Sequence, residues 1–246
     1  MQVAIVIPAR DEQRSVGDVV TSARRTVPGA RVIVVDDASS DGTADVASAA
    51  GAHVLRLTRH AGYAGALHAG YREAMDAPPD AVVQMDADGQ HRADDLPALL
   101  AGLGPAHVVL GSRFLGPAPG YRIPPLRRAG MAACRWMATT VGGVALTDPT
   151  SGLRAMTPAA AARIARHGFP DGLTETSLLI HLHREGFRIG EVPVRMNAAR
   201  SRSMHAGLSG GTHMLRISWA VMGMAARPAP APSGAPAPAG LPEPPL

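Results

Sequence analysis

The sequence predicts an α/β fold, a mostly parallel β-sheet flanked by helices. Three observations lead there. Short apolar runs alternate with stretches of helical spacing from Val3 to Leu110, the pattern of consecutive βαβ units. The run Ala81 to Met85 is apolar except for Gln84, as expected of a strand covered on both faces. Three of the runs lead into acidic residues: Asp11 and Glu12, Asp36 and Asp37, Asp86 and Asp88. Right-handed crossovers bring the ends of parallel strands to one edge of a sheet, so these carboxylates are expected on a single rim.

Each element has its own signal. Val3 to Ile7 is a β-rich apolar run closed by Pro8, and Pro8 to Glu12 reads as its loop. Ser15 to Arg25 places Val16, Val19, Val20 and Ala23 on one helical face. After the Pro28-Gly29 turn, Arg31 to Val35 is a second strand. Asp41 or Thr43 stands where it can cap a helix over Ala44 to Ala50. Val54 to Leu57 is a third strand, Arg59 to Gly65 a glycine-containing loop, and Ala66 to Ala77 a helix. The central strand follows, then a helix over Leu96 to Leu103 and a short strand, Val108 to Leu110, leading into Gly111-Ser112-Arg113-Phe114. The second half is less regular. It reads as a Pro- and Gly-rich loop (Pro117 to Pro125), a helix (Leu126 to Val141), a polar turn (Thr147 to Arg154), two helices (Pro158 to His167, Leu173 to Glu185) and an alternating strand (Phe187 to Met196). Residues 204–226 are expected to form an amphipathic helix, either lying at a membrane surface with Trp219 as anchor or serving as a plain core helix. Residues 227–246 are dominated by Pro and Ala, and a disordered tail is expected there.

Composition narrows the function. The only cysteine is Cys134, which rules out a disulfide framework and a cysteine-based metal site. All 24 basic residues are Arg, so no mechanism can rest on a lysine. A net charge of +4 and a pI near 10.1 suit anionic partners: nucleotides, lipid phosphates or an anionic membrane surface. Aromatic residues make up 3%, poor provision for base stacking, so no nucleic-acid partner is expected. No signal peptide and no apolar stretch of spanning length is read from the sequence. A cytoplasmic protein is expected, with a peripheral place on the inner face of the plasma membrane left open.

The chemistry concentrates after the central strand. Asp86 and Asp88 are two residues apart, so on a strand they share a face. They stand at the C-terminal end, where open α/β sheets bind ligands. Two like charges so close repel, and a divalent cation removes that penalty. Oxygen donors from Asp86, Asp88 and the Gln90 amide suit Mg²⁺ or Mn²⁺ rather than zinc. A cation held by so few protein groups usually takes phosphate as a further ligand, which points to a diphosphate site.

Five segments then occur in order: Val6-Ile7-Pro8-Ala9, Val34-Val35-Asp36-Asp37-Ala38-Ser39, Met85-Asp86-Ala87-Asp88-Gly89-Gln90-His91, Gly111-Ser112-Arg113-Phe114 and Asp148-Pro149-Thr150-Ser151-Gly152-Leu153-Arg154. Together they resemble the family 2 inverting glycosyltransferases, in the polyprenol (dolichol) phosphate mannosyl/glucosyl transferase branch, from about Val3 to about Ser203. The resemblance implies a GT-A type, Rossmann-like fold and a GDP- or UDP-hexose donor. It implies a nucleotide-sugar-binding half over residues 1–115 and an acceptor-side half of the same domain over 116–203. Pro8 and Glu12 would line the nucleotide, with Asp36 or Asp37 on the base edge and Ala87 also on the donor. Asp86, Asp88 and Gln90 would hold the metal. Arg113 would face the phosphates or the acceptor. Arg127, Ser151, Arg154 and Glu175 would lie on the acceptor side, and Arg200 with Ser203 in a late segment closing over the donor. The departures are specific. Arg10-Asp11 stands where Tyr-Asn is usual, and Arg10 would stack on the base. Tyr63 replaces a Lys, and Arg200 to Met204 lacks a second one. The membrane helices common in that branch are not seen, which raises a separate membrane protein as a partner.

The expected reaction transfers a hexose with inversion to a polyprenyl phosphate. Such an acceptor is already an anion and needs no strong base, whereas a sugar hydroxyl needs a carboxylate. Glu175 is the candidate for that role, against the plain alternative of an acidic residue at a helix start. Hydroxyl glycosylation in polysaccharide or secondary-metabolite synthesis, and a nucleotide-sugar-binding protein whose catalysis has lapsed, are the alternatives. Phosphatases of the haloacid type and receiver-like domains fit less well, since both want a lysine.

Overall fold

The computed structural model describes residues 1–116, 125–169 and 175–197. The Arg127 side chain, Arg200, Ser203, the helix expected at 204–226 and the tail at 227–246 lie outside the described residues. The first half runs β1 (Val3–Ala9), α1 (Val16–Thr26), β2 (Arg31–Asp36), α2 (Thr43–Ala49), β3 (His53–Arg56), α3 (Gly62–Asp76), β4 (Ala81–Gln84), α4 (Leu96–Ala101) and β5 (Val108–Ser112). It continues with α5 (Pro125–Thr140), β6 (Arg154–Met156), α6 (Pro158–His167), α7 (Glu175–Arg184) and β7 (Ile189–Pro193).

The strands form one seven-stranded sheet in the order β3-β2-β1-β4-β6-β5-β7. β6 alone runs against its neighbours, antiparallel to both β4 and β5. The α/β architecture is therefore as expected, but the turn read over Thr147 to Arg154 ends in an unexpected strand, β6. β6 has three residues, Arg154, Ala155 and Met156, too few for a period-two pattern to emerge. α3 begins at Gly62 rather than Ala66, and Pro8 lies inside β1. The Pro8 position is tolerated because β4 pairs with β1 only as far as Val6. The Val6 carbonyl accepts from the Met85 N–H and the Ala9 carbonyl from the Asp37 N–H. By alternation the missing N–H of Pro8 faces the β4 side, where the ladder has ended and its loss is least costly.

The core lies on both faces of the sheet. On one face α3, α6 and α7 cover Val6, Val35, Val82 and Leu110. On the other, α1 and α4 cover Ile5, Ile7, Val34 and Val83. Val82 and Val83 thus go to opposite sides, which is why β4 is buried throughout. α3 comes unusually near the sheet at Gly70, where a Cβ would stand 2.4 Å from Val6 Cγ1 and 2.9 Å from Val35 Cγ2. Among the described residues no helix is long and apolar enough to cross a membrane. The chain reverses its direction of travel across the sheet between β1 and β4, and the crevice beyond such a switch point is where open α/β sheets hold ligands.

Candidate active site

Asp86 stands just past β4 at that switch point, its side chain 28% exposed. Both carboxylate oxygens are held by the protein itself. The Tyr63 hydroxyl, reaching from the first turn of α3, donates to Oδ1 at 2.8 Å. His91 Nε2 lies 3.2 Å from Oδ2. Space for the carboxylate is left by Gly152, where a Cβ would sit 2.5 Å from Oδ2 and 3.0 Å from Cγ. Burial, and then the Asp86 charge, hold the Tyr63 phenol well above its ordinary value, so it acts as a donor at every physiological pH. Asp88 turns back on its own loop, its Oδ1 accepting the Gln90 N–H at 2.9 Å. Gly89, between them, has φ +74°, a conformation that glycine adopts without strain.

Behind Asp86 a polar group penetrates the sheet. Gln84, the one polar residue of β4, is fully buried. Its Nε2 lies 3.1 Å from each of three acceptors, the Tyr63 hydroxyl, the Gly152 carbonyl and Glu175 Oε1. Its Oε1 accepts from the Tyr71 hydroxyl at 2.8 Å. Arg154, opposite Gln84 in the antiparallel β4–β6 pair, has no exposed surface and forms an ion pair with Glu175. Burial pulls the Arg154 guanidinium below its ordinary value, while Tyr71, Tyr63 and Asp86 oppose that pull.

The nucleotide rim is built from β1 and β2. Ala9 pairs with Asp36, and the Asp37 N–H donates to the Ala9 carbonyl at 2.9 Å. Asp36 Oδ1 accepts the Ser39 N–H at 3.1 Å. Asp37 has a different role. Its carboxylate receives the N–H groups of Ala61 and Gly62 at 2.6 and 3.0 Å and meets His60 Nδ1 at 2.7 Å. It therefore satisfies the orphan donors at the start of α3. Glu12 is buried; its Oε2 accepts from Ser15 Oγ at 2.7 Å and its N–H donates to Thr43 Oγ1 at 2.8 Å. Asp11 and Ala38 both adopt φ +55°, a conformation costing a non-glycine residue on the order of 1 kcal/mol or more. Two such residues face each other across the rim, where Asp11 Oδ1 accepts the Ser40 N–H at 2.7 Å. Arg10 lies 3.9 Å from Asp11 and is partly exposed.

The second half completes the far side. Arg113, at the end of β5, is buried and clasps Asp148 through Nε at 2.5 Å and Nη2 at 2.7 Å, and Nη2 also donates to Thr150 Oγ1 at 2.8 Å. The turn that holds Asp148 is fixed from β7, where Glu191 accepts the N–H groups of Thr147 and Asp148 at 2.7 and 2.9 Å. Ser151 is buried, and its carbonyl accepts from Arg154 Nη2 at 3.1 Å. Asn197 docks on the Gly89–Gln90 turn. Its N–H donates to the Gln90 carbonyl at 2.8 Å and its Nδ2 to the Gly89 carbonyl at 3.2 Å.

Several expected roles change accordingly. Arg113 is held by Asp148 and Thr150 and orders the 147–150 turn. Arg154 is buried and faces Glu175. Asp37 caps α3, which leaves Asp36 as the rim carboxylate nearer the expected base edge. Gln90 contributes its backbone to the turn. His181 and His183 are partly buried in α7, with His181 Nε2 2.8 Å from Glu185. Cys134 is buried, and burial raises its thiol. Sequence reasoning saw Tyr63 only as a departure and did not assign Gln84 or Glu191. A polar residue inside an otherwise apolar strand was the available signal for Gln84, because a buried amide must find partners.

The donor set suits a cation shared with a ligand. Among the described residues no group of three His, Cys, Asp or Glu side chains is gathered for a metal. Asp86, with the missing Gly152 side chain leaving room at its carboxylate, and Asp88 on the same turn, supply one or two carboxylates. That is the protein share typical of a Mg²⁺ or Mn²⁺ site whose other ligands are substrate phosphates.

Comparison with known proteins identifies the family. A family model described as glycosyl transferase family 2 matches residues 4–158. The chain is 37% identical over 168 residues to an undecaprenyl-phosphate mannosyltransferase of Micrococcus luteus, covering 63% of this chain and 66% of that protein. It is 30% identical over 159 residues to a polyprenol monophosphomannose synthase of Mycolicibacterium smegmatis, covering 61% of this chain and 60% of that protein. The chain thus spans about two thirds or less of the length of these two relatives. Among solved structures, glucosyl-3-phosphoglycerate synthase from Mycobacterium tuberculosis, in complex with Mn²⁺, UDP and phosphoglyceric acid, superposes with a TM-score of 0.70. The identity is 21%, with 92% of this chain and 79% of that one covered. A likeness at that identity establishes the shared fold.

Proposed function

This chain belongs to glycosyl transferase family 2, and we propose that it moves a hexose, with inversion, from a nucleoside-diphosphate sugar to a polyprenyl phosphate. The observation that carries the donor side is the Asp86 carboxylate, fixed by Tyr63 and His91 at the switch point of the sheet. Asp86 and Asp88 would hold a Mg²⁺ or Mn²⁺ ion, whose chemistry is to neutralise the departing diphosphate. The relative in complex with Mn²⁺ and UDP shares this fold. Asp36, on the rim beside Ala9, stands where a nucleoside edge would be read, and Arg10 where a base would stack.

The acceptor side follows from Glu175. A hydroxyl acceptor needs a carboxylate free to take its proton. Glu175 is the counter-ion of the fully buried Arg154, and protonating it would strand that charge. A phosphate monoester acceptor has no such requirement, because its oxygen is already anionic. That oxygen forms the new bond to the anomeric carbon from the face opposite the diphosphate, and the bond to the diphosphate oxygen breaks. The protein's part is to align the two ends and exclude water. The names of the two curated relatives, both lipid-phosphate enzymes, support this choice. A peripheral membrane position is supported by α5, where Trp136 is 63% exposed and Arg128 and Arg135, seven residues apart and so on one helix face, are also exposed. Arg200, three residues after Asn197 in the sequence, is the arginine we assign to the diphosphate.

The test is a melting screen with GDP and UDP, each with and without Mn²⁺, followed by transfer from the matching nucleotide sugars to undecaprenyl phosphate. A ligand that binds only the folded state raises the melting point by mass action. A metal-dependent rise and product on the lipid phosphate are expected. Binding without transfer to any acceptor would favour a lapsed enzyme. Transfer only to a sugar hydroxyl would overturn the acceptor assignment.

A further inference from the structure

We infer that Tyr63 and Gln84 are positioning residues for Asp86, a hydrogen-bonded chain through which the buried Glu175–Arg154 pair sets the affinity of the metal–diphosphate site. The inference rests on the function proposed above. Its basis is the direction of each bond. A phenol has one proton, and Tyr63 lies 2.8 Å from Asp86 Oδ1 and 3.1 Å from Gln84 Nε2. The carboxylate can only accept and the amide nitrogen can only donate. The Tyr63 proton therefore goes to Asp86, and its oxygen receives from Gln84. The amide orientation is fixed as well. Gln84 Nε2 faces the Gly152 carbonyl and Glu175 Oε1, both acceptors, at 3.1 Å each, while its Oε1 receives the Tyr71 hydroxyl. Turning the amide over would set oxygen against oxygen.

Two protons on Gln84 Nε2 serve three acceptors, so a change at Glu175 redistributes the bond given to Tyr63. A hydroxyl that accepts a bond also donates a stronger one. Tyr63 orients Asp86 without cancelling its charge, which the Lys usual at this place would partly do. Gln84 does not touch Asp86 in this chain of contacts and acts on it only through Tyr63.

The experiment is calorimetric titration of Mn²⁺ into the full chain in the presence of saturating GDP or UDP, alongside nucleotide binding without metal. Tyr63→Phe keeps the ring and removes the bond. Its loss is expected to lower Mn²⁺ affinity roughly 5- to 10-fold, the effect of one net hydrogen bond, with metal-free nucleotide affinity within about twofold of wild type. Gln84→Met, similar in length, is expected to weaken Mn²⁺ binding by a smaller factor. In the Tyr63→Phe background it should add nothing, since the pair then acts as one unit. Unchanged or tighter Mn²⁺ binding in Tyr63→Phe overturns the inference. So does an equal loss with and without metal, or full additivity of the two variants, because each is what a merely structural role gives. If the wild-type chain itself shows no metal-dependent nucleotide binding, the proposed function fails first and this inference with it. Melting curves for every variant identify any that is unfolded, and in that case the Gln84→Met comparison decides.

Discussion

Replacing Gly152 with Ala tests the site at its tightest point. The new Cβ would meet Asp86 Oδ2 at 2.5 Å, Cγ at 3.0 Å and Oδ1 at 3.1 Å. Ordinary contact begins near 3.4 Å, so the carboxylate or the 148–154 turn has to move by about 1 Å to restore van der Waals distance. Asp86 is short and held at both oxygens by Tyr63 and His91. It cannot swing aside without losing those bonds. The turn is fixed too, since the Gly152 carbonyl accepts from Gln84 and the Ser151 carbonyl from Arg154. Overpacking of this kind costs about 1–3 kcal/mol of stability. A displacement of about 1 Å at a reacting centre costs on the order of 100-fold in rate. The assay is kcat/KM for hexose transfer as a function of Mn²⁺ concentration, with a urea melt of the same preparation. A folded Gly152→Ala protein with about 1% of wild-type turnover and a weakened response to Mn²⁺ is the expected result. A folded variant with wild-type turnover and metal dependence would refute the assignment of Asp86 to the reacting centre.

Further expectations follow from other parts of the molecule. Arg113→Ala leaves Asp148 buried and unpaired, and breaking such a pair costs about 3–5 kcal/mol; denaturant melts should register that loss, whereas a surface phosphate-binding arginine would leave stability unchanged. Glu175→Gln removes the counter-ion of Arg154 and is expected to lower the melting point together with activity, while a residue acting purely as a base would lose activity alone. Burial, and then the Arg188 charge, hold the His107 imidazole below its ordinary 6.5, and His107 Nδ1 accepts the Arg188 N–H at 2.9 Å. The neutral ring is the one that fits the fold, so its contribution is full above pH 6.5 and falls as pH drops below it; His107→Asn should flatten the stability profile in that window. Trp136→Ala should reduce co-sedimentation with vesicles containing anionic lipid, without changing metal-dependent binding of GDP or UDP.

The acidic rim was legible in the sequence because it is a local fact. A strand that ends in Asp36-Asp37, or in Asp86-Ala87-Asp88, carries its chemistry at its own end, and parallel topology brings such ends together. Gly152 was visible as part of a polar turn, but not the reason for its lack of a side chain. That reason is Asp86, more than sixty residues earlier. Arg113 and Arg154 looked like anion binders because a lone arginine always does. Only the fold revealed Asp148 against one and Glu175 against the other.

By itself the sequence determined which segments would be strands and helices in the first half, the covering of the central strand on both faces, and the side of the sheet where carboxylates would gather. These follow from periodicity and from the alternation of neighbours, and both are encoded within a few residues. The insertion of β6 against the run of the sheet was decided only by the tertiary structure. So was the use of Asp37 as a helix cap, and the joining of Tyr63, Gln84, Arg154 and Glu175 behind Asp86. A buried polar group takes whichever partner the packing brings to it, and that partner is set by the shape of the whole core rather than by any spacing along the chain.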